Sequence, residues 1–452
     1  MDQSVRSVLD DFALTADMHV VEKPVDPKFE LGAVLQLRER DETQLFTSVI
    51  GHSVRVFGNL LNTREKIARG LGVSLDELPS RCIAAVEKGT AVQYVSEAPV
   101  QQVVIDSVVE LKDLLPVPAW FERESGPYIT AGVIIAKHPI TRERNVSIAR
   151  LRLEGGNRIM AGIAPSHHLA QLLRIAGSLN QPLEIAVVIG NHPAVLIGSQ
   201  MYVELGYDEL EIAGSLIGDP IRVVKCKTID VEVPAEAEIV LEGRLFADQS
   251  IEEGPVSEFP GFYVYYGPGH AGEITCMTHR TDPLYHAIVP GYAAEHLLLG
   301  GVAIEATTCR ALQAVIPSVR RVVITEGGMG RLHAIISMHR PKLGEGKRAV
   351  MLAMGQVNLL KLVIVVEDDI DPLDWRQVEW SLAARFNGAE DLMIIHGVKA
   401  DRCEPQHRDY TVTKIGMIAT TRPGDDTPGG NREPARAPQA ILDMVRANLN
   451  EY

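Results

Sequence analysis

The chain has 452 residues, of which 46% are hydrophobic and 23% charged, a composition typical of a globular protein with two or three domains. Its formal net charge of −15 argues against non-specific binding to nucleic acid or to an anionic membrane surface. Five cysteines without a CxxC pair predict neither a disulfide framework nor a zinc cluster. Because the sequence shows no signal-peptide pattern and no apolar run long enough to span a membrane, we expect a soluble cytoplasmic protein.

The predicted elements alternate between helix and strand. Two N-terminal helices are expected at 62–72 and 74–89, where Asn62 and Ser74 are capping residues and both patterns end on glycine. Runs rich in β-branched residues predict strands at 102–107, 132–138, 185–190, 221–233 and 237–245. A helix at 298–315 follows, and then come short buried strands within 320–327 and 361–371.

This order predicts a mixed α/β fold. Its expected parts are an N-terminal α/β region (1–112), a β-rich central domain (113–300), a linker helix (301–318) and a C-terminal α/β domain (319–452). The Pro- and Gly-rich stretch 421–438 predicts an extended linker. After it, 439–452 has the pattern of a short amphipathic helix that docks on a partner subunit or on its own chain.

The first candidate site is a pair of carboxylates in 252-EEGPVSEFPGFY-263. Glu253 and Glu258 lie five residues apart across a Gly-Pro turn, and 145-NVSIAR-150 supplies Arg150. A Glu–Arg–Glu set can keep one carboxylate ionised while its neighbour carries a proton near neutral pH. Two glutamates at this spacing also occur in ordinary solvated loops. The Gly, Pro and Phe residues around them favour a shaped, partly buried turn instead.

The second candidate site is a set of metal ligands that are far apart in the sequence. It comprises Asn145, the His167–His168 pair and Glu209. An amide oxygen, an imidazole and a carboxylate together suit Mn²⁺ or Mg²⁺ better than zinc. The alternative is that the histidines only begin a helix and that Glu209 only belongs to the acidic first turn of another.

The third candidate is Lys361, which directly precedes the apolar run 362–366. It could reach an anionic cofactor phosphate, or it could be an ordinary residue at the edge of a strand. The usual signatures of dinucleotide binding, of a P-loop and of a nucleophile elbow are absent from the sequence.

The order of these motifs resembles the UbiD family of prenylated-FMN-dependent decarboxylases over nearly the whole chain. The matching segments are LLPVPAW (114–120), SGPYIT (125–130), NVSIAR (145–150), HH (167–168), DELEIAG (208–214), EIVLEG (238–243), EGPVSEFPGF (253–262) and KLVIVVEDDIDPLDW (361–375). The resemblance implies a central split β-barrel that binds the flavin and a C-terminal oligomerisation domain. It also implies reversible, non-oxidative decarboxylation of an unsaturated or aromatic acid.

The resemblance assigns roles to the candidate residues. Arg150, Glu253 and Glu258 match the family's catalytic residues, with Glu258 as the acid that protonates the substrate carbon. Asn145, His168 and Glu209 match the ligands of a Mn²⁺ or Mg²⁺ ion that bridges to the flavin phosphate. The other implied cofactor contacts are Ser147, Ile148, Ala149, His167 and Lys361. A K⁺ or Na⁺ site near Ser199 and Glu209 is also usual in the family.

The substrate is predicted from 290-PGYAAEHLLLGG-301, the segment that partly builds the substrate pocket in the family. It offers His296, with Leu298 and Leu299 as apolar walls, whereas Ala303 and Ile304 offer no cation for a second carboxylate. These residues favour a heteroaromatic monocarboxylic acid of the pyrrole- or indole-carboxylate kind. A furan dicarboxylate, a benzoate-type acid and a cinnamate-type acid are the alternatives, and His296 could instead only pack at the start of a helix.

The expected partners are the acid substrate, CO₂ and a flavin prenyltransferase that supplies the cofactor. The resemblance also implies a homo-oligomer, at least a dimer and possibly a hexamer. Two functions from other classes stay open. They are a metal-dependent hydrolase that uses Asn145, His168 and Glu209, and a non-catalytic flavin-binding subunit.

Overall fold

The computed structural model describes residues 2–421 and 437–452. Helices and strands alternate along the chain, so the predicted mixed α/β class is confirmed. No helix among these residues is long and apolar enough to cross a membrane. All five cysteines are buried free thiols.

The N-terminal region packs short helices against a small sheet. Its helices are α1 (Val5–Leu14), α2 (Glu30–Leu37), α3 (Arg64–Gly70), α4 (Leu78–Glu87) and α5 (Leu111–Leu114). Its strands are β1 (Met18–Val21), β2 (Thr43–Phe46), β3 (Arg55–Gly58), β4 (Gln93–Tyr94) and β5 (Val103–Ile105).

The central region is dominated by strands. They are β6 (Tyr128–Ile129), β7 (Val133–Lys137), β8 (Arg144–Ile148), β9 (Arg150–Leu153), β10 (Arg158–Gly162), β11 (Leu183–Ile189), β12 (Arg222–Lys225), β13 (Glu232–Pro234), β14 (Ile239–Glu252), β15 (Pro255–Ser257), β16 (Tyr263–Tyr265), β17 (Pro268–His279) and β18 (Leu284–His286). The helices between them are α6 (His168–Ser178), α7 (Pro193–Gly198) and α8 (Glu209–Ile217).

The C-terminal region begins with a long helix and continues as an α/β unit. Its helices are α9 (Ala294–Gln313), α10 (Glu345–Gln356), α11 (Trp375–Arg385), α12 (Gly388–Asp391) and α13 (Gln439–Ala447). Its strands are β19 (Val319–Ile324), β20 (His333–Met338), β21 (Leu362–Glu367), β22 (Leu392–Lys399) and β23 (Thr411–Ala419), and they pair in the order β19-β20-β21-β23-β22.

The central sheet is a half-barrel with the order β6-β9-β10-β17-β14-β11-β7-β8, and β5 pairs with β17. Strand β7 is buried on both faces. In β7, Val133 and Ile135 pack into one apolar cluster, while Ile134 and Ala136 pack into the other. This explains why 132–138 is a continuous apolar run rather than an alternating one.

The N-terminal sheet depends on a strand from the central region. Its order is β1-β2-β3-β18, and β18 pairs in parallel with β3, with Tyr285 opposite Val56. The His286 ring stacks on Phe57 with centroids 4.5 Å apart. The N-terminal region therefore shares a sheet with residues from the central part of the chain.

Two local predictions need correction. Thr63 rather than Asn62 caps α3. The Thr63 side chain accepts from Lys66 N, whereas the Asn62 amide donates to two carbonyls, Glu39 O and Asp41 O, in the loop that follows α2. The predicted strand 221–233 is two antiparallel strands, β12 and β13. The turn between them is held by the buried Glu242 carboxylate, which accepts from Lys227 N at 2.8 Å and Thr228 N at 2.7 Å. This remote partner has no local sequence signal.

The long helix α9 begins at Ala294 and ends at Gln313, so it starts earlier than the predicted linker helix 301–318. Most of its length is buried, because it packs against α4 and α7 on one side and against β19 on the other. It therefore connects the central and C-terminal regions through packing as well as through the chain.

The terminal helix α13 is present as predicted, and none of its residues is buried. Ile441 is 47% exposed and Met444 is 49% exposed, so the residues that the structure describes leave about half of these two apolar side chains uncovered. The predicted linker 421–438 lies, from 422 to 436, outside the described residues.

Candidate active site

The segment 145–150 crosses from one part of the half-barrel to the other. Strand β8 pairs with β7, with Asn145 opposite Ala136, whereas β9 pairs with β10, with Arg150 opposite Gly162. Ala149 lies between the two strands. Because side chains alternate along a strand, Asn145 and Ser147 share one face of β8.

Arg150 joins the two predicted glutamates. Its Nε and one terminal nitrogen contact the two carboxylate oxygens of Glu253 at 2.6 and 2.7 Å. Its other terminal nitrogen lies 3.8 Å from Glu258 Oε2. The structure thus brings the Glu–Arg–Glu set together. Both carboxylate oxygens of Glu253 are bound to Arg150, whereas Glu258 lies beyond hydrogen-bond distance of the guanidinium.

Burial alone would lower the pKa of Arg150, but hydrogen bonds and the charge of Glu253 raise it above its usual range. The guanidinium is therefore a permanent cation. Glu253 is 1% exposed, whereas the Glu258 side chain is 19% exposed. Only the second carboxylate lines a cavity.

The absence of a side chain at Gly162 leaves space for this ion pair. A Cβ atom there would lie 2.8 Å from Arg150 Nε and 2.8 Å from Glu253 Oε1. The turn between the glutamates has a similar requirement, since Gly254 has φ +75°. Arg152 donates to the carbonyl oxygens of Glu252 and Glu253, which anchors the end of β14.

A buried carboxylate supports the same turn from behind. Glu124 Oε1 accepts from Ser257 N at 3.0 Å. Burial raises the pKa of Glu124 to about 7, although that hydrogen bond lowers it. No motif or spacing pointed to Glu124, because its partner is a backbone amide more than a hundred residues away.

The predicted metal ligands line a larger cavity of about 740 Å³. Asn145 Nδ2 donates to Glu209 Oε1 at 3.1 Å, and Val146 N donates to Glu209 Oε2 at 2.7 Å. His168 is the first residue of α6 and lines the same cavity. His167, Ser147 and Ser199 line it as well, so the second candidate set also converges.

Two adjoining cavities connect the metal end with the Glu258 end. The second cavity, of about 300 Å³, is lined by Arg150, Glu258 and His296. The residues that line both cavities are Ile148, Ala164, His167, Gln200 and Asp401. A single elongated ligand can therefore contact both ends.

The chain matches family models along nearly its whole length. Residues 9–86, 93–293 and 297–419 match the N-terminal, Rift-related and C-terminal domains of 3-octaprenyl-4-hydroxybenzoate carboxy-lyase, respectively. The chain belongs to the UbiD family of prenylated-FMN-dependent decarboxylases. The resemblance stated from the motifs is confirmed, and the protein is a carboxy-lyase.

Relatives within the UbiD family differ in what their names record. Anhydromevalonate phosphate decarboxylase of Methanothermobacter thermautotrophicus is 36% identical over 402 residues, which cover 89% of this chain and 93% of that protein. The UbiD-class enzyme HmfF from Pelotomaculum thermopropionicum, in complex with FMN, superposes with a TM-score of 0.93 at 38% identity, covering 99% of this chain and all of HmfF. An evolved dimeric form of HmfF in complex with prFMN gives 0.89 at 36% identity, with the same coverage.

The metal end has the donors that a UbiD divalent ion would require. Among the described residues, no three His, Cys, Asp or Glu side chains converge as ligands. The candidate set differs from such a cluster, because one of its three members is the amide of Asn145. Asn145 Oδ1 is buried without a hydrogen-bond partner, which leaves an amide oxygen available to a cation. Burial raises the pKa of Glu209 to about 8 against the hydrogen bond from Val146 N, so a cation here would stabilise the ionised carboxylate.

His167 is the N-cap residue of α6 and belongs to both cavities. Burial, with a smaller contribution from His168, lowers its pKa to about 4. The imidazole is therefore neutral at pH 7. Its Nδ1 atom is buried without a hydrogen-bond partner, which leaves it available to a ligand in the cavities.

At the substrate end, two of the three predicted residues line the smaller cavity. His296 and Leu299 do, whereas Leu298 is 2% exposed and packs in the apolar core. The prediction that Leu298 is a pocket wall is corrected, because successive helical residues point about 100° apart. Of the two phenylalanines in the glutamate motif, Phe259 is 5% exposed and lines the cavity, whereas Phe262 is 58% exposed.

Lys361 lies apart from the other predicted site residues. It directly precedes β21, lines neither cavity, and places its Nζ 2.6 Å from Glu404 Oε1. The strand start directs this side chain to a carboxylate of its own domain. A different cation, Arg310 of α9, lines the larger cavity.

Sequence reasoning missed a group contributed by the C-terminal region. Asp401, Arg402 and Cys403 line the smaller cavity together with Tyr266. Their segment has no motif, and only the folded chain brings it against the central half-barrel. Arg402 could have been noticed only as one of the chain's many arginines.

Proposed function

We propose that this protein decarboxylates a heteroaromatic monocarboxylic acid without net oxidation, with prenylated FMN as its cofactor and Glu258 as the proton donor. The observation that carries the proposal is the convergence of Arg150, Glu253 and Glu258 beside a cavity that continues to Asn145, His168 and Glu209. The proposal therefore assigns acid–base groups to one end of an elongated site and metal ligands to the other.

Prenylated FMN, when bound, supplies the electron sink that an aryl or vinyl carboxylate needs and that no side chain offers. Asn145, His168 and Glu209 would hold Mn²⁺ or Mg²⁺ for the flavin phosphate, with a K⁺ or Na⁺ site near Ser199. The backbone and side chains of Ser147, Ile148 and Ala149 would line the flavin, and Arg310 would add positive charge.

The chain's own groups divide the acid–base work. Arg150 orients the carboxylate of the incoming acid and, through its bidentate contact, keeps Glu253 ionised. Glu258 lies at the cavity surface and gives its proton to the substrate carbon after CO₂ has left. In the carboxylation direction the same carboxylate removes that proton.

His296 supports a substrate with an N–H group. Its Nδ1 lies 2.9 Å from Gly291 O, and because a carbonyl only accepts, Nδ1 must carry the proton. Burial, and then the charge of Arg331, lowers the pKa of His296, so the ring is neutral and Nε2 is an acceptor. A pyrrole or indole N–H can donate to such an atom, whereas a furan oxygen or a second carboxylate cannot.

A second candidate substrate is a phosphorylated unsaturated acid. It is favoured by Arg402, which lines the cavity and forms no ion pair with any residue that the structure describes. The name of the relative from Methanothermobacter thermautotrophicus points to the same substrate class. A phosphate beside Arg402 would be a charge-assisted contact.

The deciding experiment co-expresses the chain with a flavin prenyltransferase and records its absorbance and its CO₂ release. The acid panel contains pyrrole-2-carboxylate, indole-3-carboxylate, furan-2,5-dicarboxylate, benzoate, cinnamate and anhydromevalonate phosphate. Turnover of the first two, weakened by His296→Phe, supports the proposal. Turnover of anhydromevalonate phosphate alone, lost in Arg402→Met, would replace it with the second candidate. Activity with metal but without flavin would indicate a hydrolase.

We infer further that the protein is a homo-oligomer. The support is the amphipathic helix α13, whose Ile441 and Met444 side chains stay about half exposed against the residues that the structure describes. Light scattering at micromolar concentration should give at least a dimer mass. A strictly monomeric species would overturn this inference.

A further inference from the structure

The Tyr266 ring lies close to two arginines, and its hydroxyl contacts the proposed acid of the active site. Its hydroxyl donates to Glu258 Oε2 at 3.0 Å. The Arg402 guanidinium carbon lies 3.6 Å from the centre of the Tyr266 ring, and that of Arg150 lies 5.1 Å from it. Both distances are within the range of cation–π attraction.

We propose that Tyr266 is the positioning residue for Glu258 and that Arg402, stacked on the tyrosine ring, makes this position depend on the C-terminal segment 401–403. The proposal rests on the proposed role of Glu258 as proton donor. It adds a hydrogen-bond donor from the central region and a clamp from the C-terminal region.

Tyr266 acts as a donor and not as a base. Burial, and then the negative charge of Glu258, raises its pKa well above the usual value for tyrosine, so the hydroxyl keeps its proton. Glu258 Oε1 accepts from Phe259 N at 3.1 Å. With Tyr266 on Oε2, each oxygen of the ionised carboxylate has a donor.

Other groups around Glu258 do not replace this contact. A terminal nitrogen of Arg150 lies 3.8 Å from Glu258 Oε2, and the two shorter contacts of the guanidinium are with Glu253. The charge of Glu258 influences His296, Arg331 and Cys403, but among the described residues none of these three side chains forms a hydrogen bond with it. Burial raises the pKa of the Cys403 thiol, which keeps it neutral.

The clamp links two regions that are distant in sequence. Tyr266 follows β16 of the central region, whereas Arg402 follows β22 of the C-terminal sheet. If the segment 401–403 moves away from the cavity, the tyrosine ring loses its closest cation and the restraint on its rotamer. Glu258 is then free to turn. The Glu258 carboxyl group therefore reaches its full acid strength only when the central and C-terminal regions are both in place.

The test uses the infrared band of the protonated carboxyl group, titrated with pH in the flavin-free protein and assigned by its absence in Glu258→Gln. In Tyr266→Phe the ionised carboxylate loses a charge-assisted hydrogen bond, so the midpoint of this band should rise by about one pH unit. Arg402→Met should raise it in the same direction, and the double variant should show less than the sum of the two shifts. Arg402→Lys keeps a cation and should restore most of the wild-type midpoint.

Tyr265→Phe is the matched control. Tyr265 is 66% exposed, and its hydroxyl accepts from Arg123 outside the cavity, so its loss should leave the midpoint unchanged. In the flavin-loaded enzyme, Tyr266→Phe should lower kcat on the order of tenfold with little change in KM.

Each other outcome overturns the proposal. An unshifted midpoint in Tyr266→Phe removes the positioning role. A shift in Tyr266→Phe without one in Arg402→Met removes the clamp, and a raised KM in Arg402→Met would then assign that arginine to the substrate. An equal shift in Tyr265→Phe would show a general effect of losing a tyrosine hydroxyl. Because the infrared midpoint requires no turnover, failure of the proposed substrate leaves this test intact.

Discussion

Arg150 binds Glu253 through two short contacts of 2.6 and 2.7 Å, and this bidentate pair leaves the second glutamate of the motif outside the strongest part of the guanidinium's field. Two identical side chains therefore acquire different environments. Glu253 is buried and permanently paired, whereas Glu258 borders the cavity and contacts Tyr266. This division agrees with the separate roles of charge partner and proton donor.

Glu258→Gln should abolish decarboxylation and leave the flavin bound. The amide has no acidic proton, and loss of a general acid typically costs about 10²- to 10⁴-fold in rate. Absorbance of the purified variant and CO₂ release check the two halves of this expectation. A variant that loses the flavin as well would show that Glu258 is structural.

Glu253→Gln should lower both stability and turnover. The change leaves the buried Arg150 cation beside a neutral amide, and an uncompensated buried charge costs roughly 3–5 kcal/mol. The thermal midpoint should therefore fall clearly below that of the wild type. Glu273→Gln, which breaks an exposed pair with Arg244, is the control and should change stability by less than about 1 kcal/mol.

Gly162→Ala should displace the catalytic ion pair without changing any charged residue. Its Cβ would approach Arg150 Nε and Glu253 Oε1 at 2.8 Å each, so one side chain must shift. We expect at least a tenfold loss of kcat, since misplacement of about 1 Å can cost about 100-fold. Gly355→Ala, where a Cβ meets no atom within 4 Å, should leave activity unchanged.

Glu209→Gln should weaken binding of Mn²⁺ at the predicted metal site by at least about 100-fold. The amide oxygen can still accept from Val146 N, so the fold is retained. Calorimetric titration with Mn²⁺ measures the change. Glu211→Gln, in the same first turn of α8 but away from the cavity, is the control, and equal weakening there would argue against the site.

Protonation of His192 should make the protein less stable in mild acid than at neutral pH. It is buried, its Nδ1 accepts from Ala194 N at 3.2 Å as the cap of α7, and burial lowers its pKa to about 4. Since the unfolded chain takes up this proton near pH 6.5, the stabilisation is complete above that pH and is lost as pH falls towards 4. The loss amounts to roughly 3 kcal/mol.

Thermal midpoints at pH 7 and pH 5 of the wild type and of His192→Asn check this expectation. Asparagine can still cap the helix but does not titrate, so the variant should lose less stability between the two pH values. His167 titrates in the same window in both proteins, and the difference between them therefore isolates His192. Equal losses would contradict the prediction.

Much of the site could be predicted from motifs, because its residues lie in short segments with unusual composition. NVSIAR, DELEIAG and EGPVSEF each contributed side chains that the structure brings together. Lys361 lines neither of the two cavities and contacts Glu404, so its expected contact with a flavin phosphate stays a prediction. Leu298 was misplaced because a helical pattern alone does not tell which side faces a cavity.

Tyr266, Arg402 and Glu124 escaped prediction for a common reason. Glu124 and Arg402 contact residues more than a hundred positions away, and Tyr266 contacts Glu258 across eight residues outside the recognised motifs, so none of the three leaves a spacing or periodicity to recognise. The split of 221–233 into two strands has the same origin, because the Glu242 carboxylate that holds its turn belongs to β14.

The order of residues alone specified the alternation of helices and strands, the family and three candidate catalytic side chains. Spacing and composition did not show which glutamate pairs with Arg150, because the two carboxylates are chemically the same; only the resemblance gave Glu258 the role of the acid. Folding decided this pairing through sterics and anchoring. Gly162 leaves space for the guanidinium beside Glu253, Arg152 holds the backbone at Glu253, and Tyr266 contacts Glu258 at the cavity.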